Sequence, residues 1–181
     1  GELAVALGHL SEEQVREIQN SLVNTLEKMS KELDDNEKEH FSVLYGNHNL
    51  IATVETIVED VGAAVKACEE NDRDISDQLT ERFQSWEADI TPRLEEARGQ
   101  VRNMIIAQDY RDEEDINNIL DKADSIRSLN EEIVTKVPVS TEKACQKLYE
   151  TLSDTKERMI DLLNSTLRSI PSKLQEQDEQ E

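Results

Sequence analysis

Glu37 and His40 stand three residues apart, the spacing that sets a carboxylate and an imidazole on one face of a helix. Two such pairs, with further inward glutamates, hold a di-iron site in a helical bundle. His9 and His48 have no Glu three positions before them, so the second half of that site is missing. With 41 acidic residues in the chain, a chance spacing is the plainer account of the first. Asp112, Glu113, Glu114 and Asp115 form a dense run of carboxylates, yet they lack the glycine and alternating ligands of a calcium loop. Acids just before an apolar periodic stretch complement a helix N-terminus instead. Cys68 and Cys145 both fall on apolar seams, and buried free thiols are expected over a disulfide or redox pair. No Cys-x-x-Cys, glycine-rich phosphate loop or nucleophile elbow occurs. Carboxylates on a solvated helix have no cause for a raised pKa. The sequence predicts no enzyme, no cofactor and no metal site.

Charge and composition narrow the partners. The chain has 181 residues and a formal charge of −21, from 20 Lys and Arg against 41 Asp and Glu. No run of basic residues is present to meet phosphates, so nucleic acid is excluded, and an anionic membrane would repel the same surface. A basic protein segment is the one ligand that the charge favours. No stretch approaches the ~20 apolar residues of a membrane span. Residues 1–10, GELAVALGHL, are too short and lack the positive flank of a signal peptide, and the initial glycine points to a fragment of a longer protein. Free thiols together with these absences lead to a cytoplasmic expectation.

The elements that would position such residues are helices. Charged residues make up 34% of the chain, with only five Gly, three Pro and six aromatic residues, a composition suited to a core one seam wide. Ser11 and Gln14 form a capping box with Leu10 as staple, and Val15, Ile18, Leu22, Leu26, Met29 and Leu33 follow on one face. That face thins over DDNEKEH and returns at Phe41 and Leu44, and YGNHN at 45–49 predicts a turn. Leu44 and Ile51 remain in helical phase across it, the one sign against that turn.

A long helix is expected over roughly 50–90, kinked or restarted at Pro92 with Thr91 as N-cap. Its seam is Ile51, Val54, Val58, Val61, Val65 and Cys68, resumed by Ile75, Leu79, Phe83 and Trp86. Asp72 interrupts it, as a point open to water or as a polar register mark. A further break in AQDYRDEEDI precedes the face Ile116, Leu120, Ala123, Ile126, Leu129 and Ile133. Ser140 or Thr141 caps the last helix, whose seam runs from Cys145 to Ile170 before Pro171 stops it. Trp86, the single tryptophan, reads as core, or else as an interface anchor.

Helix lengths of about 30, 40, 16, 24 and 30 residues do not all align, so part of the long helix must project or meet a second chain. The expected fold is therefore all-α: an elongated helical bundle or coiled coil of four to five helices with one long kinked helix, completed by self-association. Residues 1–10 form a short apolar segment, 11–170 the helical module and 171–181 an acidic disordered tail.

Two segments, LTERFQSWEADI at 79–90 and MIIAQDYRD at 104–112, resemble the bacterial chemotaxis phosphatase, a long helical hairpin that dimerises into a bundle. That family's catalytic stretch continues Asp-Leu-Thr-Gly-Gln, whereas Asp112 is followed here by Glu113, Glu114, Asp115 and Ile116. The resemblance thus implies a signalling regulator on a dimeric bundle without the catalytic glutamine. The residues themselves point to a non-enzymatic self-assembly or scaffolding module of a larger cytoskeletal, motor or trafficking protein. Its partners would be protein helices, including a dimer or tetramer of itself, met through the 51–105 seam. A monomeric bundle that exposes a partner-binding helix is the other alternative.

Overall fold

Ser11 opens the first helix as its spacing predicts. Its hydroxyl accepts from the Gln14 amide at 3.3 Å, and Gln14 Oε1 accepts from the Ser11 amide at 2.9 Å. The computed structural model describes residues 11–133 and 138–168. Among them are five helices and no strand: α1 Glu12–Glu32, α2 Asp35–Glu70, α3 Ser76–Ala107, α4 Glu113–Ile133 and α5 Glu142–Arg168. The all-α expectation holds. Residues 1–10 with Leu10, and residues 171–181 with Pro171, lie outside the described residues.

Two starts follow the sequence closely. Glu113, Glu114 and Asp115 occupy the first turn of α4, where their charge complements the exposed amides. Of the two candidate caps for α5, Thr141 acts: its hydroxyl accepts from the Ala144 amide at 3.1 Å.

Three boundaries differ from expectation, each for a local reason, and at Pro92 the continuous alternative holds over the restart. The first face does not continue into Phe41, because Leu33 is extended and a second capping box starts a new helix. There Asp34 Oδ1 accepts from the Glu37 amide at 2.8 Å and Glu37 Oε1 accepts from the Asp34 amide at 3.0 Å. Residues 45–49 do not turn; they lie inside α2. Gly46 needs no special dihedral there, while the polar His48 and Asn49 are held by α4 side chains.

The expected helix over 50–90 instead reverses at 71–75. Asp72 takes φ 51°, its amide donates to the Glu69 carbonyl, and the Arg73 amide donates to the Cys68 carbonyl. Those two bonds around a left-handed residue are a Schellman cap, with Asp in the place usually taken by Gly. Asp72 is exposed, so of its two readings the one open to water is what the fold uses. Lastly, α3 runs through Pro92 without a break, and Thr91 is not a cap: its hydroxyl donates to the Glu87 carbonyl at 2.8 Å. The carbonyl that proline leaves without its helical donor belongs to Ala88, on the exposed side, where water can satisfy it.

The chain divides into two compact units, Gly1–Asn49 with Asn103–Lys136 and Leu50–Arg102 with Val137–Glu181. In the first, α1 packs on α4 around Leu22, Met29, Leu33, Phe41, Ile119 and Ala123. Arg111 bonds Glu32 at 2.9 Å, and Lys122 donates to Ser21 at 3.2 Å. The first pair joins the end of α1 to the start of α4, and the second lies 11 residues earlier in α1 and 11 later in sequence on α4, so the two helices are antiparallel.

In the second unit, α2 and α3 form an antiparallel hairpin. Arg98 bonds Glu55 at 2.7 Å, and a methyl placed on Gly62 would lie 3.2 Å from Phe83. The third helix, α5, runs parallel to α3: Arg73 with Ser140, Arg82 with Tyr149 and Asp89 with Lys156 are all separated by 67 residues.

The free-thiol expectation is overturned here. Cys68 and Cys145 form a disulfide across 77 residues with their Cα atoms 6.1 Å apart, joining the end of α2 to the start of α5. Both positions lie on buried seams, as read, but the seams face each other.

Two outcomes follow from these placements. Gly46→Ala is expected to stabilise the chain by about 0.5–1 kcal/mol, because a Cβ there meets nothing within 4 Å and the backbone is helical. Urea melts would show it, whereas a true turn at 45–49 would give a loss. Replacing Cys68 and Cys145 together by Ala is expected to cost about 2–5 kcal/mol. A reducing agent should lower the urea midpoint of the wild type and leave that of the variant unchanged.

Candidate functional site

The hinted metal pair is taken apart by the fold. Glu37 is part of the α2 cap, while His40 is buried and shares a hydrogen bond of 2.7 Å with the Tyr110 hydroxyl from the loop before α4. The two rings also meet edge-on, with centroids 5.5 Å apart. Burial lowers the His40 pKa, since a cation in this apolar setting loses hydration. Burial raises the Tyr110 pKa, with the Glu37 charge adding to it. At neutral pH both groups are held uncharged. No group of three or more His, Cys, Asp or Glu that could hold a metal occurs among the described residues.

About two helical turns further along α2 lies a second polar tie that the sequence reading missed. His48 Nε2 meets Asp124 Oδ1 at 2.8 Å, and since a carboxylate only accepts, that nitrogen carries the proton. Arg127 donates to the same Asp124 oxygen at 2.8 Å and to the Asn49 side-chain carbonyl. The sequence signal was present but misassigned. Polar residues kept in phase between Leu44 and Ile51 belong to a helix face that meets polar partners, not to a turn.

In the second unit a groove of about 420 Å³ opens between α3 and α5. The Arg82 guanidinium lies 3.7 Å above the Tyr149 ring and donates to the Tyr149 carbonyl at 2.9 Å. Lys156 pairs with Asp89 at 3.2 Å. Trp86 lines the groove floor at 2% exposure beside Phe83, and its indole N–H has no acceptor among the described residues. The core reading of Trp86 therefore describes its packing. The groove's cations are already engaged by the protein's own groups, which limits what they can offer a ligand.

The ten seam residues are brought together by the hairpin. Ile51, Val54, Val65, Cys68, Leu79 and Trp86 are buried, and Val58, Val61, Ile75 and Phe83 are partly buried. For the six buried positions the cover comes from the chain itself. The segments 79–90 and 104–112 fall in α3 and across its C-terminal end, and Asp112 is exposed where its carbonyl accepts from the Ile116 amide. No protein-family model, curated protein or solved structure matches the chain.

The His40 environment gives a pH dependence with a definite sign. A buried imidazole with a lowered pKa is protonated less readily folded than unfolded, so the unfolded chain gains protons first as pH falls. This group's contribution is intact above the unfolded value of about 6.5 and is lost as pH drops through and below it. His40→Gln, which retains a side-chain donor and acceptor for Tyr110, should lose less stability than the wild type between pH 7 and pH 5. Parallel pH profiles for the two proteins in thermal melts would refute that assignment.

Proposed function

We propose that this chain is a non-enzymatic helical scaffold that engages protein partners through the acidic outer faces of its helices. One observation carries the reading: the apolar seam positions are enclosed within the chain. Association through that seam would require the α2–α3 hairpin to open and re-expose Leu79 and Val54, both at 1% exposure or less. A dimer or tetramer would have to use other faces. The exposed large apolar residues Val23, Ile106, Val139 and Leu162 are scattered along the sequence, and single exposed apolar residues are ordinary on any surface.

The remaining resource is charge. At −21 the chain carries many more carboxylates than its cations can pair, and regular helices set them in fixed rows. A basic protein segment is the complementary ligand. The disulfide bears on the setting as well. Disulfides persist in oxidising compartments and are rare in reducing ones, so such a compartment replaces the cytosol in the proposal. A cytosolic cytoskeletal or motor parent is correspondingly disfavoured.

The test separates patterned charge from mere excess. A Lys- and Arg-rich peptide should bind the folded, oxidised chain saturably, and more tightly than it binds the same chain reduced, alkylated and unfolded. Affinity should fall steeply between 0.05 and 0.3 M salt, as about a Debye length of 10 Å at 0.1 M requires. Equal affinity for the folded and unfolded forms, measured by calorimetry, would leave nothing for the helical scaffold to do.

A further inference from the structure

We propose that Asn164 is an N-glycosylation acceptor, modified before α5 folds. The chain contains one Asn-x-Ser/Thr sequence with a residue other than Pro in the middle, Asn164-Ser165-Thr166. That motif by itself recurs by chance, and the disulfide is the second, independent observation: the enzymes that form such bonds and those that transfer oligosaccharides to Asn share the lumen of the secretory pathway. The inference rests on the oxidising-compartment reading and is otherwise independent of what the scaffold binds.

The structure fixes both the outlet and the order of events. Asn164 lies near the C-terminal end of α5, partly exposed, while the buried stripe of that helix runs through Leu152, Met159, Leu163 and Thr166. One position on from Leu163 is a rotation of about 100°, so Asn164 flanks the stripe, and a glycan there leaves the packed face free. Thr166 is 2% exposed and its hydroxyl donates to the Leu163 carbonyl at 2.6 Å. A transferase that must engage the Thr hydroxyl therefore finds it only while the segment is extended.

The donor is a lipid-linked oligosaccharyl diphosphate. The Asn164 side-chain nitrogen attacks the anomeric carbon, a C–N bond forms, the bond from that carbon to the diphosphate oxygen breaks, the lipid diphosphate leaves with its electron pair, and the amide gives up one proton. No oxidant or reductant is required.

Trypsin isolates the site, since cleavage after Arg158 and Arg168 releases a peptide whose single Asn is Asn164. In protein from its native source, and in the chain secreted by eukaryotic cells, this peptide should carry hexosamine. Amidase release of the glycan should convert Asn164 to aspartate, and the secreted 181-residue chain should then return to about 20.7 kDa. Asn164→Gln should abolish the added mass, whereas Thr166→Ser should keep it. Already folded, oxidised chain offered to the transferase in detergent should remain unmodified. An intact Cys68–Cys145 bond with an unmodified peptide overturns the glycan proposal and leaves the compartment reading standing. Free thiols in the native protein overturn both. Glycan on the folded chain overturns the order of events.

Discussion

The second unit depends on the chain reversing at Asp72. A continuous helix over 51–86 would leave a stripe of Ile, Val, Leu, Phe and Trp along one side in water. The Schellman cap turns that stripe back on itself. The Cys68 carbonyl accepts both the Arg73 amide and the Ser76 hydroxyl, so the last turn of α2 and the first of α3 are joined at one oxygen. Donors in the turn then reach the start of α5: Asn71 to the Ser140 hydroxyl, Arg73 to the Ser140 carbonyl and the Asp74 amide to Glu142. The disulfide closes from the same residue, Cys68, to Cys145 one turn into α5. Polar and covalent fixation therefore coincide at one end of the three-helix packing. Further along, the constant offset of 67 residues keeps α3 and α5 in register.

Charge works against this packing. Cross-helix pairs such as Arg98–Glu55 and Lys156–Asp89 leave side chains from a third to a half exposed, and pairs of that kind typically contribute about 0–1 kcal/mol. They fix relative position more than they stabilise. Enclosed apolar surface and the cross-link must offset the repulsion among the remaining acids. The polar groups packed between helices fit that division: His40 and Tyr110 are kept neutral, and the partly exposed Asp124 and Arg127 are paired with each other.

What the sequence showed and concealed follows from the range of each signal. Caps are read within four residues, and Ser11–Gln14 and Thr141 appeared where the spacing put them. Burial on a helix face is read within about two turns, so Ile51 to Trp86 were recognised as a seam. What covered that seam depended on the sign of one dihedral at Asp72, and Asp gives a weaker indication of a left-handed turn than Gly does. Gly46 misled in the opposite direction. Glycine permits a turn without enforcing one, and the helix continued because His48 and Asn49 had partners on α4, far away in sequence. The Cys68–Cys145 bond was hidden for the same reason. Two cysteines on separate seams look alike whether their helices meet or not, and only the reversal at 71–75 with the return of α5 brings their Cα atoms within 6.1 Å. The groove at Trp86 likewise needs the α3–α5 register, which no local pattern encodes.

A closed seam also constrains function. Had the apolar stripe been open, its chemistry would have selected another amphipathic helix, and the acids would have served only to keep the rod soluble. With the stripe enclosed and cross-linked, the acids become the main chemically distinctive feature left on the outside. Rows of carboxylate on a stiff helix hold their spacing, whereas on a flexible chain a basic ligand would have to order them at an entropic cost of about 1–2 kcal/mol per residue. Rigidity is thus what would turn excess charge into recognition. On the proposed reading, the residues that maintain it, Asp72, Cys68, Cys145 and the cations bridging α3 to α5, would serve a partner through the faces they hold in place.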